Sequence, residues 1–146
     1  MSPADAATVR PVLGYVPGAW DMFHIGHLNI LKRARERCDR LVVGVVTDEA
    51  LHAAKGKDPV VPFEERCEVV ASLSLVDEVV PDFSSDKLEV WSRVEFDVLF
   101  KGDDWRGTPK GDKLERDMAS VGVQLSYFPY TAHTSSTLLR SMLAER

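Results

Sequence analysis

Residues Leu41 to Val46 read Leu-Val-Val-Gly-Val-Val, without one polar position. A strand with one wet face alternates apolar and polar side chains. A continuous β-branched run suits a strand covered on both faces, the situation found in parallel sheets. That run constrains the rest of the chain, because parallel neighbours need crossover helices between them. Shorter apolar runs do recur, at Val12–Val16, Val76–Val80 (closed by Pro81), Asp97–Lys101 and Val123–Phe128. Between them lie helical stripes: Leu28, Leu31, Ala34 and Cys38; Phe63, Cys67, Val70 and Leu73; Leu88, Trp91 and Val94; Leu114, Met118 and Val121. A last stripe carries Leu138, Leu139 and Met142. The pattern predicts one α/β domain over residues 11–146, a five-stranded parallel sheet with helices on both faces. Ser84 or Ser85 is the expected cap of the third helix, Ala53–Pro59 and Arg106–Gly111 are expected loops, and residues 1–10 a flexible N-terminal tail.

The totals narrow the function. With 146 residues the chain suits one domain with a genuine core. Its 18 basic and 23 acidic residues give a net charge of −5, and no basic arm is present, which argues against nucleic acid as a partner. Two cysteines, Cys38 and Cys67, fall in apolar helical patterns and read as reduced thiols rather than a disulfide framework. No apolar run approaches the about 20 residues of a membrane span, and residues 1–10 lack the apolar centre of a signal peptide. The expectation is a cytoplasmic protein that does not engage a membrane.

One junction carries the chemistry. After the first strand, Pro17 and Gly18 break the run, Ala19-Trp20-Asp21 makes a corner, and a helix opens at His24-Ile25-Gly26-His27. A strand that turns directly into a helix presents free N–H groups and the positive end of the helix dipole, a cradle for phosphate oxygens. Two histidines three apart share one helix face, and Gly26 between them lets a ligand approach the backbone.

His-x-Gly-His after such a corner resembles the signature of the nucleotidyltransferase superfamily. The set continues in order through Thr47-Asp48-Glu49, Lys55-Gly56, Glu64-Glu65-Arg66, Val76-Asp77-Glu78, Gly102-Asp103-Asp104-Trp105 and Thr134-Ser135-Ser136-Thr137. That order is most similar to small bacterial glycerol-3-phosphate cytidylyltransferases. The resemblance implies a Rossmann-like fold, CTP and a small phosphorylated alcohol as substrates, Mg²⁺ as cofactor and a homodimer with its contact near Val76–Val80 and the preceding helix. It implies that His24, His27 and Lys55 act on the reacting phosphates, with Lys57, Arg66 and His133 serving the phosphate loop or second substrate. It places Gly18, Ala19, Trp20, Asp21, Gly26, Asp48, Gly102, Asp103, Asp104 and Trp105 around the nucleotide, Trp105 covering the base and Asp21 orienting the metal or phosphate groups. Tyr130, Thr131, Thr134, Ser135, Ser136 and Arg140 complete that set.

Two regions depart from the family, the ending and the corner. Tyr130 stands where the family has a triphosphate-binding arginine, His133 where it has a glycine, and Ala19-Trp20 replaces the commoner Thr-Phe. The Thr134-to-Arg140 segment resembles an adenylyltransferase ending instead, so Arg140 is the expected substitute charge. Glycerol 3-phosphate is the first expectation for the acceptor. Choline phosphate, ethanolamine phosphate, a phosphonate, transfer from ATP, and a nucleotide-binding regulatory module are the alternatives.

Overall fold

The computed structural model describes residues 10–130 and 132–145. Its elements follow the order β1 (Leu13–Gly18), α1 (Ile25–Arg35), β2 (Arg40–Val46), α2 (Asp48–Lys55), α3 (Phe63–Ala71), β3 (Glu78–Asp82), α4 (Lys87–Arg93), β4 (Val98–Gly102), a 3₁₀ turn (Asp103–Trp105), α5 (Pro109–Ser120), β5 (Gln124–Phe128) and α6 (Ser136–Ala144). The five strands form one parallel sheet in the order β3-β2-β1-β4-β5. Strand order therefore reverses between β1 and β4, and a crevice opens there beyond the strands' carboxyl ends, the usual ligand site of such sheets.

The β2 run is buried on both sides as expected. Val43 and Val45 pack with Val16, Leu31, Ala34, Val70 and Phe100, the layer under α1 and α3. Val42 points the other way, toward Tyr15, Val90, Phe96, Leu99, Leu114 and Met118 under α4 and α5. Each of these side chains is under 10% exposed, and burying one aliphatic or aromatic group this completely stabilises the fold by about 1.5–3 kcal/mol. Gly44, the one gap in the run, has a specific reason. A Cβ there would stand 1.9 Å from the Tyr15 hydroxyl, which passes this point to donate to Asp82 Oδ2 at 2.6 Å.

Five expectations need correction. Thr47-Asp48-Glu49 does not simply end β2; it starts α2, with Thr47 Oγ1 accepting from Ala50 N, so the expected loop begins only at Gly56. β3 runs two residues later than expected and continues through Pro81 to Asp82, which an edge strand tolerates because one side of it has no ladder to break. Asp86, not Ser84 or Ser85, caps α4 by accepting from Leu88 N. The expected loop Arg106–Gly111 is helical from Pro109, a residue suited to a first turn, with Thr108 as cap. Cys38 lies past the end of α1, against Gly14. Among the described residues, no helix is long and apolar enough to cross a membrane. Residues 1–9 of the expected tail and Thr131 lie outside the described residues.

Candidate active site

The corner after β1 is the most constrained backbone of the chain. Trp20 and Met22 adopt left-handed conformations, φ 56° and 52°, each costing on the order of 1 kcal/mol or more for a non-glycine residue. The strain persists because the corner is held at both ends. The Trp20 indole is 3% exposed, lies across Gly18, and donates to Gly44 O at 2.9 Å. Asp21 is fully buried: Oδ1 accepts from Val61 N (2.9 Å), while Oδ2 accepts from Val60 N (2.9 Å) and from the Arg140 guanidinium (2.7 Å). Burial alone would raise its pKa, but those two amides and Arg140 outweigh it and hold the carboxyl below its ordinary range.

The corner delivers the two imidazoles. His24 is the N-cap of α1, and its Nδ1 accepts from Gly26 N at 3.1 Å. His27 Nδ1 in turn accepts from His24 N at 3.3 Å, and the rings stack with centroids 3.9 Å apart. With both Nδ1 atoms accepting, the neutral tautomers assigned from this network carry their protons on Nε2. His24 Nε2 lies 3.3 Å from Ser136 Oγ, which donates to Asp21 O at 2.8 Å. Burial, then the neighbouring His24, pushes the His27 pKa down to about 3, against a weaker opposing pull from Asp21. Burial also lowers that of His24. Both rings are therefore neutral N–H donors at pH 7. Gly26 is required for this arrangement, since a Cβ would meet His24 Cε1 at 2.9 Å.

Two further elements close on the imidazoles. Ser135 Oγ caps α6 by accepting from Leu138 N, which turns the start of α6 and Ser136 toward the start of α1. The carbonyl of Thr134 would lie 3.3 Å from a Gly26 Cβ. On the β4 side, Gly102 is buried beneath the Tyr130 phenol, which reaches Asp104 Oδ1 at 3.4 Å. Asp103 is half-buried and Asp104 exposed.

Several expected ligand contacts are instead supports. Trp20 cannot touch a nucleotide, being spent on the core, and Gly18 serves that indole. Asp21 is fully buried with protein donors on both its oxygens, and so braces the corner rather than facing an open site. Arg66 serves the phosphate-binding corner from beneath rather than as a ligand. It is 1% exposed and donates to Val61 O (2.8 Å), Ala19 O (2.7 Å), Val46 O (2.8 Å) and Asp48 Oδ1 (2.6 Å), tying the corner to β2, α2 and the loop before α3. Asp48 is thereby Arg66's counter-ion, and it also accepts from Phe63 N. The Trp105 ring is not open on both faces, because Lys101 Nζ stands 3.9 Å from its centroid. Lys55 ends α2, exposed, beside the left-handed cap Gly56, and Lys57 and His133 are exposed too. Arg140 spends one guanidinium nitrogen on Asp21 with its side chain 35% exposed.

The sequence reading missed the Tyr15–Asp82–Lys87 network and Lys101. Asp82 is fully buried and accepts from both Tyr15 and Lys87. The signal was a charge at the carboxyl end of each of two strands, Asp82 closing β3 and Lys101 next to last in β4.

The sequence and the fold that set these imidazoles at the β1/β4 switch have counterparts among known proteins. The family model for cytidylyltransferase-like proteins matches residues 15–142. The chain belongs to the cytidylyltransferase-like family. This cytidylyltransferase-like domain is 40% identical over 107 residues to ethanolamine-phosphate cytidylyltransferase of Arabidopsis thaliana, covering 70% of this chain and 25% of that protein. It is 44% identical over 95 residues to bifunctional protein HldE of Granulibacter bethesdensis, covering 64% and 20%. FAD synthase of Pyrococcus horikoshii matches at 34% over 125 residues, 84% and 81%. The domain thus spans a quarter or less of the length of the first two relatives. Among solved structures, a lipopolysaccharide core biosynthesis protein of Thermoplasma volcanium superposes with TM-score 0.71 at 22% identity, over 86% of this chain and all of that one, which supports the fold.

Proposed function

We propose that the chain transfers CMP from CTP to a small phosphorylated alcohol, glycerol 3-phosphate first, releasing pyrophosphate and forming a CDP-alcohol. The observation that carries this reading is the pair of neutral imidazoles at the start of α1, each with Nδ1 satisfied by backbone, so that Nε2–H is the donor: that of His24 faces Ser136 Oγ, a contact a phosphate oxygen would replace or share. The acceptor's phosphate oxygen attacks the α-phosphorus in line. A P–O bond forms to the acceptor, the bond to the α,β-bridging oxygen breaks, and pyrophosphate leaves with that electron pair. A phosphomonoester is largely dianionic at neutral pH, its second pKa being about 6, so no strong base is needed. The protein's work is positioning and stabilising developing charge. His24 and His27 donate to the α-phosphate and bridging oxygens, while Ser136, Thr134 and the N-terminus of α6 meet the β- and γ-phosphates, with Arg140 and the exposed Lys55 adding positive charge. Asp21 and Arg66 hold these groups in place.

The likeness to ethanolamine-phosphate cytidylyltransferase supports CTP. Asp103 and Asp104 supply acceptors for cytosine's exocyclic amine, and Tyr130 with Trp105 flanks the base. Choline phosphate fits less well, because a quaternary ammonium needs open aromatic faces, whereas Trp20 is buried and Lys101 already faces Trp105. Among the described residues no group of three or more histidine, cysteine or acidic side chains is set to hold a metal. A magnesium ion would enter with the triphosphate, whose charge it would neutralise. The domain works in the cytoplasm as a homodimer, paired through the β3 edge and the preceding helix α3.

Pyrophosphate release with CTP and with ATP, against glycerol 3-phosphate, ethanolamine phosphate, choline phosphate and a phosphonate, tests the reading. CTP-dependent release with a phosphorylated alcohol supports it. Release with ATP instead, or with no pair, overturns it.

A further inference from the structure

The geometry points to Lys101 as a binding residue for the acceptor's phosphoryl group, on the bank of the crevice opposite the imidazoles. This rests on the transfer reading and names a site within it. Lys101 follows Leu99, which pairs with Tyr15 across the β1/β4 switch, and by strand alternation it lies on the Tyr15 face, away from α1. It is half-buried and stands over Trp105, its ammonium 3.9 Å from the ring centroid.

A buried charge is ordinarily paired. Here the nearby buried carboxylate is taken: Asp82 gives Oδ1 to Lys87 at 2.7 Å and Oδ2 to Tyr15 at 2.6 Å. Lys87 is itself satisfied, with a second bond to Ser84 O at 2.9 Å. Among the described residues no carboxylate lies within ion-pair distance of Lys101. The indole face holds the cation in position without using up its N–H donors. Burial lowers its pKa, and Lys87 and Lys55 push in the same direction, against Asp104 and Asp82. With Lys87 neutralised by Asp82, Lys101 and the exposed Lys55 bring positive charge to this rim of a chain whose net charge is −5, which suits a dianionic phosphate ester. With the nucleotide on the imidazoles and α6, an acceptor held by Lys101 would meet it across the β1/β4 switch.

The test compares wild type, Lys101→Met and Lys101→Arg. Methionine keeps apolar contact with Trp105 and removes only the charge. In steady-state assays Lys101→Met is expected to raise the KM for glycerol 3-phosphate at least tenfold, keep that for CTP within twofold, and be partly rescued in Lys101→Arg. Calorimetric titration with glycerol 3-phosphate in the presence of CMP reads the same site without turnover and is expected to show a matching tenfold loss. Unchanged acceptor binding in Lys101→Met, a rise confined to the CTP KM, or no acceptor binding by wild type overturns the proposal. A wild type whose glycerol 3-phosphate binding depends on Lys101 but which releases no pyrophosphate supports this site and overturns the transfer reaction instead.

Discussion

Replacing Arg66 with methionine removes the tie that holds four segments together. The guanidinium is 1% exposed and donates to three carbonyls, of Ala19, Val46 and Val61, besides the Asp48 carboxylate. Methionine fills much of the volume but donates nothing. Each buried carbonyl left without its donor costs about 1–3 kcal/mol. The low end applies if water reaches the Val61 side, and Asp48, at 38% exposed, can be rehydrated and adds little. The expected loss is about 3–5 kcal/mol, the range for breaking a buried charge network. That is a large fraction of the about 5–15 kcal/mol holding a domain. Urea denaturation at pH 7 reads it as a lowered midpoint with an unchanged slope. A loss under about 1 kcal/mol would refute the argument, because it would mean the carbonyls find water and Arg66 is not what fixes the corner.

Three further outcomes follow from the same contacts. Gly26→Ala puts a Cβ 2.9 Å from His24 Cε1, so turnover should fall at least about tenfold while stability stays within about 1 kcal/mol, alanine favouring the helix; unchanged kcat would contradict it. Gly44→Ala meets the Tyr15 hydroxyl at 1.9 Å and should cost about 2 kcal/mol or more, part of it recovered in a Tyr15→Phe background; equal losses in both backgrounds would contradict the clash. His27 has a folded pKa near 3, below its unfolded value of about 6.5, so protonation favours the unfolded chain. Its stabilisation is complete above pH 6.5 and is lost as pH falls from there toward 3, adding up to about 1.4 kcal/mol per pH unit. His27→Gln should therefore flatten stability between pH 6.5 and 4.5; an identical slope would show that His27 is not buried as a neutral ring.

Much of the fold was legible in the sequence because burial on two faces writes itself as an unbroken apolar run, clearest in β2, while the edge strands β3 and β5 carry polar residues and were legible from the crossover stripes around them. Helix α2 was not legible, since Thr47-Asp48-Glu49 looks equally like a strand's polar end and a capped helix start. The paired imidazoles could be read because their spacing is local. The roles of Trp20, Asp21 and Arg66 could not. A corner has no periodicity to separate a buried indole from one that meets a ligand, and the amides of Val60 and Val61 that claim Asp21 lie about 40 residues away in sequence. Lys101 was hidden for a similar reason: only the sheet order shows which crevice the end of β4 borders.

The most direct measurement is the rate of pyrophosphate release from CTP and glycerol 3-phosphate by wild type and by a His24→Ala/His27→Ala double variant, both checked for folding. Two lost donors at the α-phosphate should slow turnover by at least about 10³-fold, on the scale of removing oxyanion-type donors. A folded double variant as fast as its parent would contradict the claim that these imidazoles stabilise the transferring phosphate.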